Sequence, residues 1–151
     1  MKDVFCRPIA MTELNALAMA LRQNGLPADD ISAPGRRFWH FRNFAEATIG
    51  FGGLEIYGSL ALLRSIVVMP AMQRQGMGQE IVCQLLRSAG DMGITKTYLL
   101  TTTARAFFEA QGFKVIERMN VPAEILATRQ AAQLCPGSAV ILMKEIDDHS
   151  H

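Results

Sequence analysis

Residues 73–79, with the sequence QRQGMGQ, have residue types and spacing suited to binding a phosphate group. They lie between an apolar, strand-like run that ends at Pro70 and a stretch with helical spacing that starts at Gly76. The first N–H groups of a helix have no partner within the helix, and the helix dipole places partial positive charge there. Glycine also lacks the Cβ atom that would hold a ligand away from the backbone. The segment therefore predicts a phosphate or pyrophosphate site at a strand–helix junction.

The spacing of these glycines does not match the common nucleotide-binding loops. A Walker-type loop requires a lysine after its last glycine, and Gln79 follows Gly78. The dinucleotide fingerprint GxGxxG requires a third glycine, and Ile81 occupies that position. Only GxG remains, and an ordinary tight turn between a strand and a helix has the same pattern.

The hydrophobic pattern predicts a single domain over residues 1–151, built on a mixed α/β sheet. Hairpin-linked strands come first, and a βαβαβ-like half follows. The nearly continuous apolar run at 59–69 indicates a central strand. The predicted strands are 4–9, 38–41, 48–57, 59–69, 95–103, 113–119 and 138–146, and the predicted helices are one capped by Thr12, a short one near 28–31, and those at 76–89, 104–111 and 122–134.

Composition narrows the class of protein. The formal net charge of the 151 residues is +1, which argues against a nucleic-acid partner because such proteins carry concentrated basic patches. No apolar stretch reaches the roughly 18 residues of a membrane span, and the N-terminus lacks a signal-type apolar core, so we expect a cytoplasmic protein. The three cysteines have no metal-type spacing, which predicts reduced, mostly buried thiols and no metal.

Two motifs carry a family resemblance. The segment IVVMPAMQRQGMGQEIVCQLL resembles motif A of the GNAT-type N-acetyltransferases, a strand followed by Q/R-x-x-G-x-G/A and a helix, with Gln73, Gly76 and Gly78 at the defined positions. The later segment TTTARAFFEAQGF resembles the family's A-x-x-x-Y/F-x-x-x-G-F helix. A narrower resemblance is to GNAT proteins of arsenic-resistance clusters, which are similar to the acetyltransferase half of N-acetylglutamate synthases. The family's β-α-α-β-β-β-α-β-α-β-β order, with splayed central strands, follows the predicted elements.

The resemblance implies that acetyl-CoA is the co-substrate and lies between splayed strands at 62–69 and 98–103. The backbone of the first strand would bind the pantetheine arm, an amide near Val67 or Val68 would polarise the thioester carbonyl, and the amides of 74–79 would hold the pyrophosphate. The implied cofactor-binding residues are Ile66, Val67, Val68, Gln73, Arg74, Gln75, Gly76, Met77, Gly78, Gln79, Thr103, Phe107 and Phe108.

Catalysis by such a protein requires an acceptor amine that has lost a proton. Glu55 is the leading candidate for the base because it is the only carboxylate between Glu46 and Glu80; it could equally be a solvated strand residue. His40 is a weaker candidate. Many members of the family place a tyrosine at the position of Phe108 to protonate the leaving thiolate, and phenylalanine cannot do this. Another donor, such as Tyr57, Tyr98 or a water molecule, would have to serve.

The acceptor is expected to be a small-molecule amine, amino-acid-like, with toxins and arsenicals as candidates. Arg64 or Arg37 could bind its carboxylate, although Arg64 could instead form an internal ion pair with Glu55. Glu55 and Thr101 are further substrate-binding candidates. Two alternatives stay open, namely a catalytically silent GNAT that binds acyl-CoA as a sensor or scaffold, and a protein N-acetyltransferase. The family analogy also suggests a homodimer.

Overall fold

The computed structural model describes residues 4–128, 131 and 139–146. Within them, strands form one sheet in the order β1-β2-β3-β4-β5-β7-β6. Neighbouring strands are antiparallel except β4 and β5, which are parallel. The mixed α/β sheet predicted from sequence is thus confirmed. The strands are β1 (Phe5–Pro8), β2 (Arg36–Arg42), β3 (Thr48–Tyr57), β4 (Leu60–Val68), β5 (Lys96–Thr101), β6 (Lys114–Ile116) and β7 (Val140–Glu145).

Two long helices cover opposite faces of the sheet: α1 (Leu14–Gln23) and α2 (Met77–Asp91). Side chains that alternate along one strand show this, because Phe38 packs with α1 whereas Trp39 packs with α2. Two short helices, α3 (Arg105–Ala110) and α4 (Ala123–Leu126), follow in the C-terminal half. Among the described residues no helix is long and apolar enough to cross a membrane.

Several predicted boundaries require correction. Residues 28–31 form turns rather than a helix, since the Asp30 carboxylate bonds side chains of the sheet and not the local backbone. Thr12 does not cap α1; it lies within a 3-10 turn in which the Ala10 N–H donates to the Glu13 carboxylate at 3.0 Å. The strand predicted at 113–119 ends at Ile116. The helix predicted at 122–134 is described as α4 only to Leu126, and most of the rest lies outside the described residues.

The cysteine prediction was wrong about burial where it can be checked. Cys6 and Cys83 are exposed thiols, whereas burial was expected. Cys6 lies on the edge strand β1, whose residues are all exposed, and Cys83 lies on the outer side of α2. Cys135 lies outside the described residues.

Strand β4 separates from β5 at its centre. The parallel pairing covers only Leu60 to Leu62, and the last pair is Leu62 with Tyr98. On the other side of β4 the register with β3 shifts between Phe51 and Gly53, so that two residues of β4 oppose one of β3. The close approach of the two backbones requires glycine at position 50, where a Cβ atom would lie 1.9 Å from the carbonyl oxygen of Val67. The sheet therefore opens between β4 and β5.

Candidate active site

A cavity of about 450 Å³ fills the gap between the splayed strands. One wall is β4 and the other is the end of β5. Residues after α1 close it on one face of the sheet, while the start of α2 and helix α3 close it on the other. The lining residues are Asn24, Leu26, Leu63, Arg64, Ser65, Ile66, Val68, Gln73, Gly78, Leu99, Leu100, Thr101, Thr103, Ala104, Phe107 and Phe108.

Only some of the predicted cofactor residues line the cavity. The structure brings seven of them together around the cavity: Ile66, Val68, Gln73, Gly78, Thr103, Phe107 and Phe108. Val67 lies between two wall residues, but its side chain is buried in the hydrophobic cluster between the sheet and α1. Only its backbone is therefore available to a ligand. The remaining ones lie in the adjacent loop or the first turn of α2 without lining the cavity: Arg74, Gln75, Gly76, Met77 and Gln79.

The first turn of α2 leaves its backbone amides without intrahelical partners. Gly76 is the N-cap with φ 75°, and the first bond inside the helix is from the Glu80 N–H to the Gly76 carbonyl at 3.2 Å. No side chain caps this helix end. Gln73 fixes the loop to the strand, because its Nε2 donates to the Val68 carbonyl at 3.1 Å. The amides of residues 77–79 consequently lack the intrahelical partner that an anion can replace.

Gly78 is the glycine that borders the cavity. A Cβ atom at this position would lie 3.5 Å from Phe107 Cζ and 3.8 Å from Val68 Cγ2, which are ordinary contact distances. The fold could therefore hold an alanine here. The glycine instead keeps open the space beside the first amides of α2.

A buried ion-pair network lies beside the cavity. Arg64 Nη1 donates to Glu55 Oε1 at 2.7 Å and to Asp30 Oδ2 at 2.6 Å, and Nη2 donates to Asp30 Oδ1 at 2.9 Å. Arg36 adds a second guanidinium, 3.3 Å from Asp30 Oδ2 and 3.7 Å from Glu55 Oε2. Burial tends to raise the pKa of Asp30, but the hydrogen bonds and charges of Arg64 and Arg36 outweigh it and lower that pKa.

Glu55 occupies the centre of this network and not the cavity wall. Its side chain is fully buried, and it does not line the cavity. One oxygen is bound by Arg64, and the other accepts the Tyr57 hydroxyl at 2.6 Å. A general base needs a route to the proton that it removes. The position of Glu55 therefore argues against the predicted base and substrate-binding roles, which stay predictions.

Arg64 has no donor left for a substrate carboxylate. A guanidinium has five N–H groups. Nε donates to Ser65 Oγ at 3.0 Å, Nη2 donates to the Pro27 carbonyl at 3.0 Å, and the bonds to Asp30 and Glu55 use the other three. Although Arg64 borders the cavity, it forms the internal ion pair that the sequence left open as the alternative to substrate binding.

Arg37 is separated from the cavity. Arg37 is an exposed residue near the start of β2, next to a different hollow that Ile31 and Trp39 also line. His40 is buried: its Nε2 is hydrogen-bonded to Thr48 Oγ1 at 2.8 Å, and its Nδ1 lies 2.7 Å from Glu13 Oε2 in the 3-10 turn. Neither side chain lines the cavity, so the positions of both argue against contact with a substrate there.

The cavity wall holds hydroxyl groups rather than a tyrosine at α3. Phe108 lines it and cannot donate a proton, and Tyr57 is committed to Glu55; burial and that bond raise the pKa of Tyr57 to about 12. Tyr98 is buried away from the cavity. Thr101 Oγ1 accepts the N–H groups of Thr103 at 3.3 Å and Ala104 at 3.0 Å. Both lone pairs are thus used, which leaves the Thr101 O–H as a donor.

Sequence reasoning missed part of the wall. Leu63, Ser65, Leu99 and Leu100 lie in the two strands that were predicted to splay, so the strand assignment alone could have supplied them. Leu26 and Asp30 lie in the turn-rich stretch 25–37, and Asn24 precedes it; that composition indicates a loop on the substrate side but not which of its residues contact the strands. Among the described residues no group of three or more His, Cys, Asp or Glu side chains is placed to hold a metal ion.

Comparisons with known proteins agree with this geometry. Residues 34–115 match the family profile described as the acetyltransferase (GNAT) domain. The amino-acid acetyltransferase of Mycobacterium tuberculosis is 36% identical over 78 residues, which cover 51% of this chain and 44% of that protein. The chain therefore spans less than half of this relative.

Solved structures share the fold at low identity. The N-acetylglutamate synthase of Neisseria gonorrhoeae, complexed with coenzyme A and N-acetyl-glutamate, superposes with a TM-score of 0.81 at 15% identity over 97% of this chain and 36% of that one. A GNAT-family acetyltransferase of Staphylococcus aureus gives 0.72 at 15% identity over 95% and 99%. The profile match covers more than half of the sequence, so the chain belongs to the GNAT acetyltransferase domain family.

Proposed function

We propose that this protein transfers the acetyl group of acetyl-CoA to the amine of a small, amino-acid-like molecule. The observation that carries the proposal is the continuity of the β4–β5 gap with the free amides at the start of α2. A thioester arm laid along Ile66–Val68 would place its phosphates at those amides. The relatives add support, because the matched proteins include an amino-acid acetyltransferase and a synthase complexed with coenzyme A.

The described wall also favours one kind of amine. Within the described residues, the cavity lining includes no carboxylate and no imidazole, so deprotonation would rely on water. At pH 7 this costs about 1.4 kcal/mol for an α-amino group with a pKa near 8, but about 4.6 kcal/mol for a lysine-type amine near 10.4. An α-amine is therefore the favoured acceptor. Thr101, whose O–H is left as a donor, is the candidate to stabilise the departing thiolate.

Release of the CoA thiol, measured with a panel of free amino acids, amino-acid-like toxins and organic arsenicals, tests this proposal. We expect turnover with α-amines and little with an amine that has only a lysine-type side chain. Val82→Ala, in the α2 core outside the cavity, is a control for general loss of stability. No thiol release with any acceptor would overturn the proposal.

A second candidate function is acyl-CoA binding without transfer. It is favoured by Phe108, which cannot protonate a leaving thiolate, and by the lack of a carboxylate in the described lining. Titration calorimetry with acetyl-CoA separates the two functions. Micromolar binding together with no thiol release on the full panel would favour the sensor or scaffold, whereas release would exclude it.

A further inference from the structure

Ser65 adopts an unusual backbone conformation at the centre of β4. Its φ is 61°, in the left-handed region that residues with a Cβ atom rarely occupy, and the residue is buried. Such a conformation persists only where the surroundings enforce it. The hydroxyl of Ser65 accepts a hydrogen bond from Arg64 Nε at 3.0 Å. Arg64 therefore holds the strained residue by a direct contact.

This residue lies where β4 changes direction. Pairing with β5 ends at Leu62. The register shift against β3 lies between Arg64 and Val67 on β4, the interval that contains Ser65. A bulge bends its strand and re-aims the residues beyond it. The residues beyond this one are Ile66 to Val68, whose backbone forms the cavity wall. The geometry at Ser65 thus sets the direction of that wall.

The same guanidinium also holds a third wall of the cavity, the segment that closes it on the α1 face of the sheet. Arg64 bonds both carboxylate oxygens of Asp30 and the Pro27 carbonyl, which belong to the segment that follows α1. That segment begins with Asn24 and Leu26, which line the cavity. One buried side chain therefore joins the bulge of β4 to the loop that faces it.

We propose that Asp30 and Arg64 are positioning residues for acetyl transfer, which fix the Ser65 bulge and the 24–30 segment relative to each other across the cavity. This inference rests on the proposed function. The pair acts through structure and not by contact with the acceptor, since every N–H donor of Arg64 already has a partner in the protein. The network also has no net charge to offer a ligand, because its two guanidinium groups and two carboxylates balance: Arg36, Arg64, Asp30 and Glu55. Within the described residues, the side-chain amides of Gln73 and Gln75 donate to the carbonyls of Val68 and Ala71, which lie outside this network, so acetyl-CoA affinity should be independent of it.

The test compares Asp30→Asn with the conservative Asp30→Glu and with Glu13→Gln as a matched control. Glu13 lies in another ion-pair cluster, with Arg7 and His40, that does not border the cavity. For Asp30→Asn we expect kcat to fall about tenfold or more, the KM for acetyl-CoA to stay within about twofold, and Asp30→Glu to recover part of kcat. Glu13→Gln should lower the melting temperature without lowering kcat. An unchanged kcat in Asp30→Asn would overturn the proposal.

Hydrogen exchange of the backbone amides separates this inference from the proposed function. In Asp30→Asn, the amides of residues 24–26 and 28 and those of residues 66–68 should exchange about tenfold faster than in the wild type, while those at the centre of α2 should not. If only the loop amides change, the coupling of the two walls is overturned even when the enzyme is active. If the amides of both walls exchange faster but the wild type releases no CoA, the coupling of the walls is confirmed. The proposed transferase function is then overturned, and with it the role of Asp30 and Arg64 in acetyl transfer.

Discussion

The two regions that flank the end of β4 hold their polar groups in opposite ways. At Arg64 every donor has a protein partner and both carboxylates of the network are occupied. At the start of α2, thirteen positions after Arg64, the first amides have no partner inside the helix and no side chain caps them. One region is a closed polar network, and the other is open toward the cavity.

The difference separates residues that hold the fold from residues that can bind a ligand. A buried charge is stable only when it is paired and fully hydrogen-bonded, so a side chain in a closed network has nothing left to offer a substrate. Unpaired amides at a helix start are instead satisfied when an anion arrives. By this criterion Gly78 is the position that we propose for the cofactor phosphates, whereas the contacts of Glu55 and Arg64 are those of scaffold residues.

Replacing Arg64 with leucine should have the largest effect on stability. It would leave Asp30 and Glu55 buried without their main cationic partner, which costs about 3–5 kcal/mol in the free energy of unfolding. Urea denaturation measures this loss. Arg7→Leu is the matched control, because Arg7 is half exposed in its pair with Glu13 and should cost less than about 1 kcal/mol. Equal losses in the two variants would contradict a closed network at Arg64.

Replacing Gly78 with glutamate should affect binding more than stability. The added carboxylate would lie beside the free amides of α2 and repel a pyrophosphate, so we expect the Kd for acetyl-CoA to rise about 100-fold, or about 2.7 kcal/mol. Calorimetric titration measures it. Gly78→Ala is the control for added bulk alone and should weaken binding less, since its Cβ would meet Phe107 at an ordinary contact distance. An unchanged Kd in Gly78→Glu would refute the assignment of the phosphate loop.

The open region was predictable from sequence, whereas only one contact of the closed region, the Arg64–Glu55 ion pair, was foreseen, and that as an alternative to substrate binding. Strand, glycine turn and helix are contiguous, so local patterns place Gly76 and Gly78 correctly at the start of α2. The partner of Asp30 is 34 positions away, and no local pattern reports it. Glu55 was chosen as the candidate base for the same reason, because its partners in the fold could not be read from the sequence around it. Glu55 has no other carboxylate near it along the chain, but this spacing says nothing about its neighbours in the fold. The fold surrounds it with Arg36, Arg64 and Tyr57.

Replacing Glu55 with glutamine decides between its two roles. If Glu55 is a scaffold residue, the variant should lose about 1–3 kcal/mol in the free energy of unfolding, because Arg64 keeps Asp30 as a partner but loses a charged one. The pH dependence of kcat/KM should then keep its shape, because the residues at the cavity are unchanged. A profile that loses its acidic limb would instead establish Glu55 as the base. Phe41→Leu, in the core on the α2 face, is a control of similar expected destabilisation.

Replacing Gly76 with alanine should have the smallest effect, and it tests whether the open region depends on backbone conformation. Gly76 has φ 75°, a left-handed value that costs a residue with a Cβ atom about 1–2 kcal/mol. We expect a loss near 1 kcal/mol in thermal unfolding, together with a several-fold rise in the Kd for acetyl-CoA, because relief of the strain would turn the first amides of α2. Gly93→Ala is the matched control: it has φ 83° with no atom near its Cβ position, and it lies away from the cavity at the far end of α2. It should lose similar stability and keep full affinity. If both variants bind acetyl-CoA as the wild type does, the amides of α2 do not depend on the conformation of Gly76.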